Sequence, residues 1–202
     1  MPAKTGVIVL AAGASGRMGR IKQLLPVLGE PAIRLCLGRI CNAGVDHVIV
    51  VLGENQDRIR PVIKDFPAEI ALNAKPGSQM ADSVACGMAL LPDKITGVMV
   101  ALCDHPLVAQ STYADLAALH RKNPDSILLP VYNRRGGHPT VFPIKLCRAA
   151  AHGTPLNAVV RANAGRVCRV ELNDPAIVRD MDTPEDYQQM MDLAARHAAQ
   201  PV

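Results

Sequence analysis

Between Leu10 and Lys22 the chain reads Leu-Ala-Ala-Gly-Ala-Ser-Gly-Arg-Met-Gly-Arg-Ile-Lys, which places three glycines, Arg17 and Lys22 directly after an apolar run. Gly13, Gly16 and Gly19 permit close backbone approach and positive φ, so amide N–H groups can point at phosphate oxygens or base edges. Arg17 and Lys22 add fixed positive charge. The spacing is not the dinucleotide fingerprint GxGxxG. Nor is it a Walker A loop, because Lys22 follows Ile21 and precedes Gln23 instead of standing between glycine and Ser or Thr. A plain glycine-rich turn carrying two solvated cations is the simpler alternative. The density of glycine and charge at the exit of the first strand favours an anion site.

Acidic residues supply the complementary chemistry. Asp104, in Cys103-Asp-His-Pro106, ends the apolar run Val98 to Leu102, and Asp180 and Asp182 lie in Arg-Asp-Met-Asp-Thr-Pro-Glu-Asp, residues 179 to 186. Hard oxygen ligands from two such junctions suit Mg²⁺ when substrate phosphates fill its remaining positions. Helix capping is the competing role for Asp182, and turn formation for Asp104. His138, in Gly136-Gly-His-Pro139, is a candidate acceptor contact. A lone histidine in a turn is more often structural or exposed, and His105 carries the same ambiguity.

The elements that must position these groups follow from hydrophobic patterning. Val7 to Ala11, Val48 to Leu52 and Val98 to Leu102 are continuous apolar runs, the pattern of strands buried on both faces. Glu69 to Asn73, Ile127 to Val131, Val167 to Leu172 and a short Ile177 to Arg179 are expected to be further strands. Helices are expected over Pro31 to Ala43, Asn55 to Phe66 (kinked or shortened by Pro61), Met80 to Leu91 and Ser111 to Lys122, the last of them capped. Two short ones follow, Ile144 to Ala151 and Leu156 to Ala164. A last helix starts at Pro184, with Thr183 as N-cap and Asp186 completing a variant capping box. The polar turn Asn133 to His138 and the segment ending at Thr140 to Phe142 read as a hairpin or an insertion over the sheet. Alternating strands and helices imply a three-layer α/β domain with a mostly parallel sheet, one domain spanning residues 1 to 202.

Composition excludes several function classes. Hydrophobic residues make up 49% of the 202 residues but aromatics only 2%, with no Trp, so stacking platforms for nucleic-acid bases are not expected. The net charge of +4 is spread along the chain without a basic run, which favours local anion sites over a nucleic-acid surface. The six cysteines form no CxxC pair, so neither a zinc site nor a disulfide framework is indicated and a reducing compartment is expected. Met1 to Ser15 imitates a signal peptide, yet Gly16 and Arg17 follow at once, which favours a cytoplasmic location. No apolar run approaches the ~20 residues of a membrane helix.

Taken together, LAAGASGRMGRIKQLLPVLGEP, CDHP, GGHP and DMDTPED resemble the molybdenum cofactor nucleotidyltransferase family over residues 6 to 190. The resemblance implies a Rossmann-like nucleotidyltransferase fold and transfer of a nucleotidyl group, with release of pyrophosphate, to a molybdopterin-type acceptor. A recipient molybdoenzyme would be the downstream partner. By the same resemblance the nucleotide would contact Leu10, Ala11, Ala12, Gly13, Ser15, Gly16, Arg17, Lys22 and Ser83. Arg17, Lys22 and Asp104 would be catalytic, Asp104 and Asp182 would hold Mg²⁺, and Gly137, His138 and Pro139 would meet the acceptor. Leu-Ala-Ala-Gly resembles the cytidylyl-transferring branch, where the Ala12 methyl narrows the base pocket and favours CTP. That preference is worth only ~1–3 kcal/mol. Cys103, where many relatives carry Gly, and Gln79, in a loop position often occupied by Gly, depart from the pattern and bear on acceptor identity. Two other readings remain. One is a nucleotidyltransferase acting on a sugar- or polyol-phosphate, and the other is a carrier that binds the cofactor without catalysis.

Overall fold

The computed structural model describes residues 2–150 and 153–198. The expected helix end Ala151 and the first residue of the signal-like stretch lie outside the described residues. In chain order the elements are β1 (Thr5–Ala11), β2 (Pro26–Val27), β3 (Glu30–Pro31), α1 (Ala32–Cys41), β4 (His47–Leu52), α2 (Gln56–Ile63), β5 (Glu69–Leu72), α3 (Met80–Met88), β6 (Gly97–Leu102) and α4 (Gln110–Lys122). They continue as β7 (Ile127–Tyr132), β8 (Arg135–Gly136), β9 (Thr140–Pro143), α5 (Ile144–Ala150), α6 (Leu156–Ala162), β10 (Val167–Glu171) and α7 (Pro184–Ala198).

The main sheet has the order β10-β7-β9-β6-β1-β4-β5, with β8 paired to β7. β1 pairs in parallel with both β4 and β6, and β5 and β10 also join in parallel. Because successive strand residues face opposite sides, the apolar runs feed two cores. Val7, Val9 and Ala11 pack with residues of α1, α2, α4 and α7, whereas Ile8, Val98 and Val100 pack with residues of α3, α5 and α6. The fold is therefore an α/β sandwich of three layers. Its chain proceeds from β1 outward to β4 and β5, then crosses to β6 on the other side of β1. Strand order reverses there, and crevices at the C-terminal ends of such strands are where α/β ligands bind.

Several elements differ from expectation. The Asn133 to His138 turn does form a hairpin between β7 and β8, with Asn133 and Arg134 both at positive φ. β9, however, lies within the sheet, antiparallel to β6 and β7. All four of its residues are buried, so it has core on both faces and does not lie over the sheet. The expected strand at Ile177 to Arg179 is a 3-10 turn, Pro175–Val178. Pro175 lacks the N–H that a ladder needs, and the Asp174 carboxylate accepts from Ala176 N (3.0 Å), which nucleates the turn. Helix α2 ends at Ile63, two residues after Pro61. Thr183 caps α7 reciprocally with Asp186: Thr183 N donates to Asp186 Oδ2 (2.9 Å) and Asp186 N to Thr183 Oγ1 (3.2 Å). The cap of α4 is not local, since Ala109 N donates to Asp174 Oδ2, 65 residues away.

Candidate active site

A cleft of about 510 Å³ opens at the C-terminal ends of β1, β4, β5 and β6. Leu10, Ala11, Ala12, Gly13 and Lys22 line it on one side, Gly53 and Asn73 at the ends of β4 and β5, Ser83 from α3, and Asp104 beyond β6. The loop after β1 owes its shape to Gln23, a buried residue whose Nε2 donates to Ala11 O (2.9 Å) and Gly13 O (3.0 Å). Positive φ falls on Ser15 and Gly19, not on Gly13 or Gly16. Ser15 Oγ receives Lys22 N (3.1 Å) and donates to the Gln23 side chain (3.3 Å). Ser15, Gly16 and Arg17 do not line the cleft, and Ser15 folds the loop back on itself.

The structure brings Lys22, Asp104 and Asp182 to one point. Lys22 Nζ is 2.5 Å from Asp104 Oδ2 and 2.9 Å from Asp182 Oδ1, and Arg17 Nη2 is 2.5 Å from Asp182 Oδ2. Burial disfavours the Lys22 ammonium, but the two carboxylates outweigh it and raise its pKa above the ordinary lysine value. For Asp182 burial again opposes charge, and the hydrogen bonds and charges of Lys22 and Arg17 prevail, holding its pKa below the usual aspartate value. Asp180, exposed and adjacent, shifts upward through desolvation and the nearby charges of Asp182 and Asp104, against the opposing pull of His105. The cap of α7 is Thr183, which leaves Asp182 free of that role.

Asp104 Oδ1 is buried without a hydrogen-bond partner, while Oδ2 takes Lys22. An orphaned carboxylate oxygen beside a second carboxylate fits a hard divalent cation. Among the described residues no cluster of three or more His, Cys, Asp or Glu side chains is placed to hold an ion alone. To hold such an ion the pair would need further oxygens, from a bound phosphate or from water.

A second cavity, about 640 Å³, adjoins the first and shares Gln79 and Met80 with it, at the start of α3. Gly137 and His138 line it, together with Phe142, Leu156 and Arg161. Pro139 is buried behind this wall and does not face the cavity. His138 Nδ1 is buried and unpartnered, and desolvation, aided by the neighbouring His105, lowers its pKa to about 4. The two imidazoles meet edge to face at 5.7 Å. A neutral His138 is therefore the form at neutral pH. Cys103 is buried, and desolvation pushes its thiol well above the usual range, so it is a packing residue here.

Sequence reasoning missed Gln23, Gly53 and Asn73. Asn73 Nδ2 donates to Ser83 Oγ (2.9 Å) on the cleft wall. Its signal was available, since a polar residue ending an apolar strand at the same edge as Asp104 is a candidate by position. Gly53, directly after β4, is legible by the same rule.

The model of the MobA-like NTP transferase domain matches residues 7–167. The bifunctional protein GlmU of Mycolicibacterium paratuberculosis is 38% identical over 128 residues, covering 59% of this chain and 26% of that protein. This chain thus aligns with only about a quarter of that relative. The solved structure of Rv0371c from Mycobacterium tuberculosis superposes with a TM-score of 0.85 at 24% identity, covering 95% of this chain and 99% of that one. A nucleotidyl transferase from Methanothermobacter thermautotrophicus does so with a TM-score of 0.82 at 20% identity, covering 96% and 99%. These two likenesses carry the fold: a largely parallel sheet with helices on both sides, as in Rossmann-like nucleotidyltransferases. With its cleft at the strand-order reversal and the family model spanning most of its length, the chain belongs to the MobA-like NTP transferase domain family, and so to the nucleotidyltransferases.

Proposed function

We propose that the chain transfers a cytidylyl group from CTP to the terminal phosphate of a molybdopterin-type acceptor and releases pyrophosphate. The observation that carries this reading is the convergence of Lys22, Asp104 and Asp182 beside the glycine loop, with one Asp104 oxygen unsatisfied. Ala12, on the cleft wall, supports a pyrimidine base. The backbone of Gly13 and the Lys22 ammonium orient the polyphosphate. Arg17, tethered to Asp182, stands ready to meet it from outside the cleft. Asp104 and Asp182 hold a divalent ion, Mg²⁺ in this reading, and a manganese complex of the similarly folded Rv0371c supports a divalent site. Such an ion, held by Asp104 and Asp182, would supply charge neutralisation to the phosphate oxygens.

The acceptor enters through the second cavity, whose shared rim at Gln79 and Met80 leads to the cleft, with neutral His138 and Gly137 beside it. Its phosphate is already ionised at neutral pH and needs no general base, so positioning and electrostatics lower most of the barrier. No covalent enzyme intermediate is required. A recipient molybdoenzyme would then take the product.

The test is pyrophosphate release from CTP, GTP and ATP with molybdopterin and Mg²⁺. CTP should be preferred by roughly 10–200-fold, the range a single methyl contact allows, and Ala12→Gly should narrow the gap to GTP. No release from any nucleotide with molybdopterin would overturn the reading. A sugar- or polyol-phosphate acceptor is favoured by the similarly folded 4-diphosphocytidyl-2C-methyl-D-erythritol synthase of Anaerococcus prevotii, whose diphosphate product joins a cytidylyl group to a polyol phosphate. Turnover with such acceptors, and none with molybdopterin, would establish it.

A further inference from the structure

The two carboxylates proposed to share a metal come from junctions far apart in sequence, and their separation depends on what joins those junctions. Asp174 does so. It is buried at 6% exposure, between the end of β10 and the 3-10 turn 175–178. Its Oδ2 accepts from Ala109 N (2.9 Å), five residues beyond Asp104 and just before α4, and from Thr112 Oγ1 (2.7 Å) in the first turn of α4. Its Oδ1 accepts from Ala176 N (3.0 Å), in the turn that leads to Asp182.

Two further contacts surround this brace. His105 Nδ1 donates to Ala176 O (3.2 Å), a second bond between the same two segments. From the α1 side, Arg39 Nη1 donates to Pro106 O and Val108 O, both at 3.1 Å. The segment bearing Asp104 is thus held by Arg39 on one side and by Asp174 on the other. Only an acceptor with two free oxygens can take all three donors at once. An amide would turn its NH₂ toward one of them.

We propose that Asp174 is a positioning residue that sets the spacing of Asp104 and Asp182 for a shared divalent ion. The inference rests on the metal reading above. Groups that orient metal ligands typically change metal affinity by about 10–100-fold when altered, because a displaced ligand loses its geometry.

The experiment is Mn²⁺ binding to the full chain, followed by electron paramagnetic resonance, in the presence of a non-hydrolysable CTP analogue. Affinity for the analogue without metal is measured alongside. Asp174→Asn keeps the volume and part of the α4 cap but sets an N–H donor against Ala109, Thr112 or Ala176. It should weaken Mn²⁺ binding at least tenfold, with metal-free nucleotide affinity within about twofold of wild type. Unchanged Mn²⁺ affinity in folded Asp174→Asn overturns the inference. So does an equal loss of metal-free nucleotide affinity, which would mark general loosening. Should that variant not fold, Thr112→Val and Thr112→Ser decide: Val should weaken Mn²⁺ binding and Ser restore it, and equal affinity in both overturns the inference. If the wild type itself takes up no Mn²⁺ with nucleotide, the metal reading fails and takes this inference with it, an outcome distinct from an effect missing in the variant alone.

Discussion

A methyl group on Gly53 would sit 2.5 Å from the carbonyl oxygen of Ala12. The end of β4 therefore supports the cleft loop through backbone contact, and no side chain fits between them. Gly53→Ala must push the Ala12–Gly13 segment outward, since the opposing atom is backbone and cannot rotate away. Overpacking of this kind costs about 1–3 kcal/mol. The expected outcome is a lowered Tm together with weaker CTP binding, read by thermal denaturation and calorimetric titration. A variant that binds CTP as the wild type does would show that this loop segment does not hold the nucleotide.

Lys22 lies between two carboxylates that would otherwise repel each other. If Lys22 orients the polyphosphate as proposed, Lys22→Ala should abolish pyrophosphate release while leaving the fold intact, because its ammonium pairs with two carboxylates at the cleft and is not part of the apolar core. With the ammonium gone, Asp104 and Asp182 should take up Mn²⁺ more tightly in the absence of nucleotide than they do in the wild type. Metal titration of the nucleotide-free protein checks this, and a weaker uptake in the variant would contradict the assignment of the pair.

Acid should destabilise the protein through His138. Its folded pKa is lowered to about 4 from 6.5, so between these values the unfolded chain binds the proton and the folded chain does not. Stability is intact above pH ~6.5, falls as pH drops through the window, and loses nothing further from this group below pH ~4. At about 1.4 kcal/mol per pH unit the whole window is worth up to roughly 3 kcal/mol. Burial also lowers the pKa of His120, which acts in the same direction. In His138→Gln the fall in Tm between pH 7 and 5 should be smaller than in the wild type, and an identical fall would show that His138 does not titrate as described.

Thr183 shapes the entry to α7 without touching the cleft. Thr183→Ala removes the acceptor for Asp186 N and should cost about 0.5–2 kcal/mol. Asp182 immediately precedes it, so the same change should raise the metal concentration needed for turnover, while Thr183→Ser should keep both properties. Denaturant unfolding and a Mg²⁺ titration of activity check the two effects.

Much of this fold was legible in the residues alone, for a physical reason. Strands buried on both faces must be apolar throughout, so Val7 to Ala11, Val48 to Leu52 and Val98 to Leu102 announce themselves, and glycines or acids just beyond them mark the edge where ligands sit. The reciprocal cap at Thr183 and Asp186 is equally local. Other features depend on partners distant in sequence. β9 is a four-residue apolar stretch whose place inside the sheet is set only by β6 and β7. Asp174, which starts the 3-10 turn Pro175–Val178, is itself held by Ala109 and Thr112, 65 and 62 residues away. The meeting of Lys22 with Asp104 and Asp182 spans 82 and 160 residues, and no spacing rule reaches that far. Local sequence determined the central buried strands and which groups carry charge. Which charges face one another was decided by the order of strands in the sheet, because electrostatic and hydrogen-bond partners are chosen by distance in space.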